Sequence, residues 1–439
     1  MLAPRWRPLS RYRREQIMTI NDKHCDVAVI GAGIIGLSVG LELVRKNPSL
    51  KVIILDKECE VASHQTGHNS GVLHSGLYYK PGSLKARLCV EGRAAIVQFC
   101  EEHAIPHQIC GKIIVASDER EITGLNELLR RGHANGVVGL RELDARQIRE
   151  IEPHASGLRG IHVPTTGITD FKMISAKYAE LIKRGGGEVL TSSRVDGIVR
   201  EAGAIVLETS SCTVHARFAI NCAGLQSDLI AKMAGASLGL RIVPFRGEYY
   251  ELVPSKNYLI AGLLYPIADP RFPFLGVHFT RHIHGGVEAG PNAVLSFKRE
   301  GYTRTSFILG DALSTALFLG FWKMAARNWK SGVGEIYRSW NKQAFTRALQ
   351  KLVPSLTEQD IQPGGSGVRA QALDRFGNLL DDFHFVFQDR ILHVCNVPSP
   401  AATASLVIGR EIVSTLDANA DFKRVQVVVK SEIPSNSCN

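Results

Sequence analysis

Residues Asp26–Lys57 read DVAVIGAGIIGLSVGLELVRKNPSLKVIILDK, and their spacing decides the fold. The apolar run Val27–Ile30 has the composition of a buried strand and runs directly into Gly31, Gly33 and Gly36. Gly31 permits the tight strand-to-helix turn, Gly33 lets the backbone approach a pyrophosphate, and Gly36 allows close helix–strand packing. Ile34 and Ile35 open an apolar helical pattern whose N-terminus offers free N–H groups and a favourable dipole to phosphates. A second strand, Val52–Leu55, ends on Asp56 and Lys57. Asp56 lies 20 residues beyond Gly36, where a carboxylate accepts hydrogen bonds from an adenosine ribose. Glycines alone can serve a purely structural βα turn. Two strands, a helix and an acid in register point to a bound dinucleotide, FAD or NAD.

The chain around this unit has 439 residues, enough for two or three domains, with 45% hydrophobic and 21% charged residues. No apolar run is long enough to span a membrane as a helix. Nine cysteines occur without metal-like spacing, which argues for a reducing compartment, no disulfide framework and no structural zinc. The formal charge of +10 draws on Met1–Ile17, MLAPRWRPLSRYRREQI, which holds five Arg against one Glu. That stretch reads as a transit peptide, a basic membrane-contacting arm, or an extension upstream of a start at Met18. The remaining positive excess suits anionic substrates or an anionic membrane surface. No basic run interleaves with aromatics, so nucleic acid is not an expected partner.

Along the chain, Leu84–His103, Glu119–Ala134, Asp144–Ile151, Met173–Arg184 and Leu406–Leu416 carry helical spacing, and Tyr302–Leu352 is mostly helical. Strand-like runs occur at Lys112–Ser117, in the three segments between Gly187 and Gly224, from Arg241 to Phe297, and at ILHVCN. Elements of the nucleotide domain thus return in the middle and at the end of the chain. The expected architecture is α/β plus α+β: a Rossmann-type FAD-binding domain with a mostly parallel sheet, interleaved with an antiparallel-sheet substrate domain. The expected division gives residues 24–84, 151–235 and 351–430 to the nucleotide domain and residues 85–150 and 236–350 to the substrate domain. Residues 1–23 form the basic extension and 431–439 a tail.

The loop His64–Tyr79, HQTGHNSGVLHSGLYY, crowds small residues, three histidines and two tyrosines together. Backbone N–H groups of such a loop can gather around a planar or anionic ligand, and histidine carries protons near neutral pH. Zinc is not expected there, for want of ligand spacing and acidic partners.

The motifs TGHNSGVLHSGLYYKPGSLKARLCVEG, IVPFRGEYYELVP, RFPFLGVHFT, GPNAVLSFKREGY, GVRAQALDRFGN and NVPSPAATASLVIG extend the signal across nearly the whole chain. From about Asp26 to Leu416 it resembles the L-2-hydroxyglutarate dehydrogenase/oxidase family, within the FAD-dependent D-amino-acid-oxidase-like superfamily. The resemblance implies FAD rather than NAD, a flavin between the two domains, and oxidation of a 2-hydroxy acid to a 2-oxo acid. Cofactor contacts are then expected from Gly31, Gly33, Ile34, Ile35, Gly36, Asp56 and Lys57. Thr66, Asn69, Ser70 and Gly71 of the His-rich loop should join them, as should Val195, Ala223 and Gly224. The closing segments add Gly367, Val368, Arg369, Ser399, Ala401 and Thr403. Cys395 and Val397 depart from the family's usual basic and small residues.

A dicarboxylate substrate needs two anion-binding positions, and Arg offers bidentate geometry. Arg246, Arg281 and Arg369 are the candidates, each also readable as half of a structural ion pair. Tyr79 and Tyr249 are expected beside the substrate. His74 is the first candidate for proton abstraction and His278 the reserve, although His278 also reads as a satisfied core histidine. An FAD amine or amino-acid oxidase and a noncatalytic dinucleotide-binding module are the rival readings. The electron acceptor is expected to be a quinone, with another flavoprotein or oxygen as alternatives. The stretch ALSTALFLGFWKMAARNWK (Ala312–Lys330) reads either as an interfacial helix of a peripheral membrane enzyme or as a helix packed on the substrate domain. The first reading implies a bacterial inner membrane, on its cytoplasmic face, or a mitochondrial inner membrane.

Overall fold

The computed structural model describes residues 22–267 and 276–432. Met1–Ile17, the RFPFL half of the RFPFLGVHFT motif and residues 433–439 lie outside them.

At the centre of the nucleotide domain, five parallel strands lie in the order Ile391–Asn396, Thr213–Asn221, Asp22–Ile30, Val52–Leu55 and Glu188–Leu190. Their apolar character follows from having both faces covered. Val27, Val29, Val52 and Ile54 join the core beneath the helices Ile34–Lys46, Phe171–Arg184 and Ser405–Ala418. The alternate residues Ala28, Ile30, Ile53 and Leu55 face a second core. That core is closed by the antiparallel strands Val195–Glu201 and Ala204–Thr209 and by the short helix Ser227–Met233. Glycine sets the helix packing: a Cβ on Gly409 would lie 2.7 Å from the Ser38 carbonyl oxygen of the facing helix.

The substrate domain is a second sheet of nine strands. Its spatial order runs Val294–Leu295, Leu240–Leu252, Val287–Gly290, His278–Arg281, Leu263–Pro266, Lys112–Ala116, Arg159–Val163 and Arg141–Asp144. Ile361–Asp374 pairs along almost the whole of Leu240–Leu252. All these pairings are antiparallel except that between Leu263–Pro266 and Lys112–Ala116. One face buries Ile113, Val115, Leu264, Phe279, Ala289 and Tyr250 against the helix Lys342–Gln350.

Three elements sit apart from the division expected from sequence. Arg159–Val163 and Ile361–Asp374 belong to this second sheet, although their segments were assigned to the nucleotide domain. The helix Leu84–Glu102, assigned to the substrate side, packs Leu88, Ile96 and Phe99 into the nucleotide core. The glycine run around Gly364–Gly367 shows no strand period, yet Gly367 pairs with Gly247, and the ladder resumes at Pro363 and Tyr250 after a bulge between Glu248 and Tyr250.

The stretch Ala312–Lys330 is not one helix. Leu309–Ala316 ends before Leu319–Trp340 begins, and Leu317 and Phe318 break the pattern. A Cβ on Gly320 would stand 2.2 Å from the Asp374 carbonyl oxygen, so the second helix is pressed against the long strand there. Met324 is buried, whereas Leu313, Leu317 and Trp322 face outward.

Candidate active site

A cleft of about 3380 Å³ runs from the glycine turn to the inner face of the substrate sheet. Drug-sized pockets measure roughly 300–1,000 Å³, so the space suits a dinucleotide with a second molecule beside it. The glycine turn is shaped on three sides. Gly31 has φ +110°, and a Cβ there would lie 2.5 Å from the Cys222 carbonyl oxygen. A Cβ on Gly36 would fall 1.9 Å from the Gly31 carbonyl oxygen, so Gly36 serves the packing. Gly33 differs: its nearest neighbour would be Thr66 Oγ1 at 3.6 Å, leaving a cradle that a side chain would fill. Ile34 donates its N–H to Thr66 Oγ1 at 3.0 Å. The Asp56 carboxylate accepts from the Ala32 N–H at 2.6 Å and from the Glu58 N–H at 2.9 Å. A carboxylate offers about four lone-pair positions, so room for ribose hydroxyls remains.

Of the expected cofactor residues, Gly31, Gly33, Ile34, Ile35, Asp56, Lys57, Thr66, Asn69 and Ser70 line the cleft. So do Val195, Ala223, Gly224, Gly367, Val368, Arg369, Ser399, Ala401 and Thr403. Gly36 and Gly71 stand behind it; at φ +67° Gly71 gives its carbonyl to the Thr169 N–H. Asn69 shapes the loop, donating to the Thr66 carbonyl and accepting from the Gly71 N–H. Such a cradle with a carboxylate at its far end fits the pyrophosphate and ribose of FAD.

Sequence reasoning missed the strap that holds this end together. Glu300, from the substrate domain, pairs with Lys57 at 2.9 Å and accepts from Gln226 at 3.0 Å. The Tyr302 ring stacks on His68 with centroids 3.9 Å apart, and its hydroxyl meets His64 Nδ1 at 3.1 Å. Arg299, fully buried, forms a two-pronged bond to Asp228. Acidic partners for His64 therefore exist, contrary to the expectation, because Glu58 and Glu300 converge on it from distant parts of the chain. The Lys57 ammonium lies among them, 2.8 Å from His64 Nε2, and supplies the positive charge.

The other wall is built by strand alternation. On Leu240–Leu252, Gly247 and Tyr249 face the cleft; on Ile361–Asp374 residues 367–371 line it, Arg369 among them; Tyr265 and His278 continue the row. The same rule removes two candidates. Arg246 lies one residue out of phase with Gly247 and Tyr249 and is committed elsewhere. Its guanidinium holds Glu248 at 2.8 Å and the Thr303 carbonyl at 2.9 Å, and Glu248 also accepts from Asn292 and Ser339. Arg281 is out of phase with His278 and points to the exposed side, toward the Ala261 carbonyl at 3.3 Å. Neither lines the cleft, so both leave the set of substrate-binding candidates.

His74, His278, Arg369, Tyr79 and Tyr249 do line it. His278 stacks on Tyr265 at 3.9 Å, and its Nδ1 meets the Gly276 carbonyl at 2.8 Å. That contact places the ring proton on Nδ1 and leaves Nε2 as an acceptor. Burial, joined by the positive charges of Arg369 and Lys112, pushes the His278 imidazole down to about 3. His74 is likewise pushed down to about 3 by burial, with Lys112 and His278 adding to it. Both rings are neutral at physiological pH. Tyr79 lies under the Lys85 ammonium at 5.1 Å, next to the closing segment around Ser399.

A parallel-sheet nucleotide cradle, a strap from a second domain and an antiparallel wall bearing neutral histidines together define a flavin-dependent oxidoreductase. The family model described as FAD dependent oxidoreductase matches residues 26–415. The L-2-hydroxyglutarate dehydrogenase of Indibacter alkaliphilus is 50% identical over 384 residues, covering 87% of this chain and 96% of that protein. The mitochondrial L-2-hydroxyglutarate dehydrogenase of Homo sapiens is 44% identical over 400 residues, covering 87% and 86%. The chain belongs to the L-2-hydroxyglutarate dehydrogenase family. The same fold occurs in the FAD-bound L-alpha-glycerophosphate oxidase of Mycoplasma pneumoniae. Its TM-score is 0.74 at 20% identity, with 90% of this chain and 95% of that one covered.

Proposed function

We propose that this enzyme oxidises L-2-hydroxyglutarate to 2-oxoglutarate. The observation that carries the reading is the row Tyr265, His278, Tyr249 and Arg369 on one sheet face, set against the flavin cradle in a protein whose relatives bear that name. His278 Nε2 takes the proton of the substrate hydroxyl while the α-hydrogen leaves with the C–H electron pair, and the C–O bond becomes a carbonyl. FAD, when bound, supplies the acceptor for that pair. Arg369 holds the carboxylate next to the reacting carbon and so fixes the hydroxyl against His278. His74, on the opposite wall, is the second candidate for the proton. The Gly276 contact and the Tyr265 stack favour His278, because they fix its ring and its free nitrogen. Anaerobic addition of each enantiomer of 2-hydroxyglutarate to the FAD-loaded protein tests the reading. Bleaching of the flavin by the L form alone is expected; bleaching by glycine or another amino acid instead would make the enzyme an amine or amino-acid oxidase.

A second element of the reading concerns where the electrons go. Leu309, Leu317, Leu319, Trp322, Trp329 and Trp340 are all more than half exposed on the two consecutive helices and the break between them. Large exposed apolar patches mark interaction surfaces. Lys323, Arg327 and Lys330 lie among these residues and suit an anionic lipid headgroup layer. We take this surface as the contact with a membrane carrying a quinone that reoxidises the flavin, at a bacterial or mitochondrial inner membrane. No helix among the described residues is long and apolar enough to cross one. Flotation with anionic vesicles is the direct measurement, and protein that stays soluble at low salt would remove this part alone.

A further inference from the structure

Residues 299–302 follow the strand Val294–Leu295 of the substrate sheet and cross to the nucleotide domain, where they make contacts of two kinds. Arg299 makes the first kind. It is 2% exposed, and its guanidinium holds Asp228 at 2.5 and 3.0 Å and the Leu225 carbonyl at 2.6 Å. Its backbone N–H goes to the Asp311 carboxylate at 2.9 Å. An ion pair this far from water does not open readily, because either partner left alone would be a buried charge. Glu300 and Tyr302 make the second kind. Glu300 meets Lys57 at 2.9 Å, and the Tyr302 hydroxyl meets His64 Nδ1 at 3.1 Å. The receiving side chains, Lys57 and His64, keep 28% and 27% of their surface in contact with solvent. Contacts so near to water are weak and are readily exchanged for hydration. The segment therefore has a fixed end and a releasable end. The releasable end lies at the cofactor: Lys57, His64, Gln226 and Glu300 line the cleft together with Asp56. Lys57 also pairs with Glu58, whose N–H is held by the Asp56 carboxylate at 2.9 Å. Glu300 thus bears, through Lys57, on the turn that aims Asp56 into the cleft.

We propose that residues 299–302 are a latch on the adenosine end of FAD, with Arg299 as its pivot and Glu300 and Tyr302 as a catch that parts when the cofactor leaves. Glu300 and Tyr302 are positioning residues, acting through Lys57, His64 and His68. The catch joins side chains of both domains, so the substrate domain contributes to holding a cofactor whose cradle belongs to the other domain. A latch of this kind resists departure more than it assists arrival, and its loss belongs in the rate of release.

The test dilutes the FAD-loaded enzyme and follows the fluorescence of the flavin it releases. Glu300→Gln keeps the shape of the side chain and removes its charge. It should speed release by about fivefold, while the apoprotein takes FAD back no more slowly than wild type. Added salt should speed release from wild type more than from Glu300→Gln, because the variant lacks the ion pair that salt screens. Tyr302→Leu removes the ring stacked on His68 and should speed release by a similar factor, which covers a Glu300 variant that does not fold. Unchanged release in both variants overturns the latch. Faster release accompanied by slower uptake of FAD also overturns it, since that pair of changes reports a loosened fold. No substrate is needed, so the latch stands or falls separately from the oxidation reaction.

Discussion

At the residue scale, the last two glycines of the turn, Gly33 and Gly36, make opposite demands. Gly33→Val should fold, since its nearest neighbour is 3.6 Å away, but give colourless protein because the side chain fills the cradle. A flavin spectrum at full occupancy in that variant would mean the pyrophosphate lies elsewhere. Gly36→Ala places a methyl group on the Gly31 carbonyl and should cost about 3 kcal/mol of stability, measured as a lower denaturation midpoint. His278→Gln should keep the flavin and slow its reduction by roughly a hundredfold or more. If only His74→Gln slows reduction, the base is His74. Arg369→Lys should weaken 2-hydroxyglutarate and 2-hydroxybutyrate alike, because both share the carboxylate beside the reacting carbon. What the sequence made legible here were local groups: turn glycines, the acid after the second strand, the histidine loop. Arg246 and Arg281 misled because a guanidinium in a motif reads the same whether it faces a cleft or a buried glutamate. Strand parity separates them, and it is readable from the spacing to Tyr249 and His278.

At the element scale, the strands and helices around the nucleotide site were legible because each has one strong period. Val52–Leu55 is a strand as expected, and the expected helices at Leu84–His103 and Met173–Arg184 lie within a residue or two of Leu84–Glu102 and Phe171–Arg184. Less legible was the strand Ile361–Asp374, whose glycines carry no alternation and which forms only because Leu240–Leu252 offers a ladder. The break at Leu317–Phe318 was hidden as well, since i, i+4 spacing continues through it. Its effect is to turn Leu317 outward at 79% exposure while Met324 is buried. Phe321 packs on the substrate domain beside Val243, Met324 and Leu373. The pair to change for flotation is therefore Leu317→Glu with Trp322→Glu, both on the outer surface. Wild type should float with anionic vesicles and the double variant should remain in solution with its flavin and its turnover on soluble dyes intact.

At the scale of the whole molecule, buried histidines set the response to acid. His278 and His393 are almost fully buried and held down to about 3 and about 4, chiefly by burial, whereas unfolded histidine titrates near ~6.5. Below that pH the unfolded chain binds protons that the folded chain refuses, so stability falls with pH from about 6.5 downward, by up to about 1.4 kcal/mol per histidine per pH unit. Thermal unfolding followed from pH 7 to pH 5 should show this slope, and His393→Gln should flatten it; an unchanged slope would mean His393 takes up its proton while folded. The interleaving of the domains was legible from the return of nucleotide-type elements late in the chain. The strap was not, because Glu300 and Tyr302 find Lys57 and His68 only in three dimensions. The position of Ile391–Asn396 beside Thr213–Asn221, and of Ser405–Ala418 against the first helix, has a consequence in time. As the chain emerges during synthesis, the glycine turn is among the first parts made, but the neighbours that cover it are among the last. The cradle must wait, incomplete, for most of the polypeptide, and flavin capture becomes a late, post-translational event that reports a finished chain.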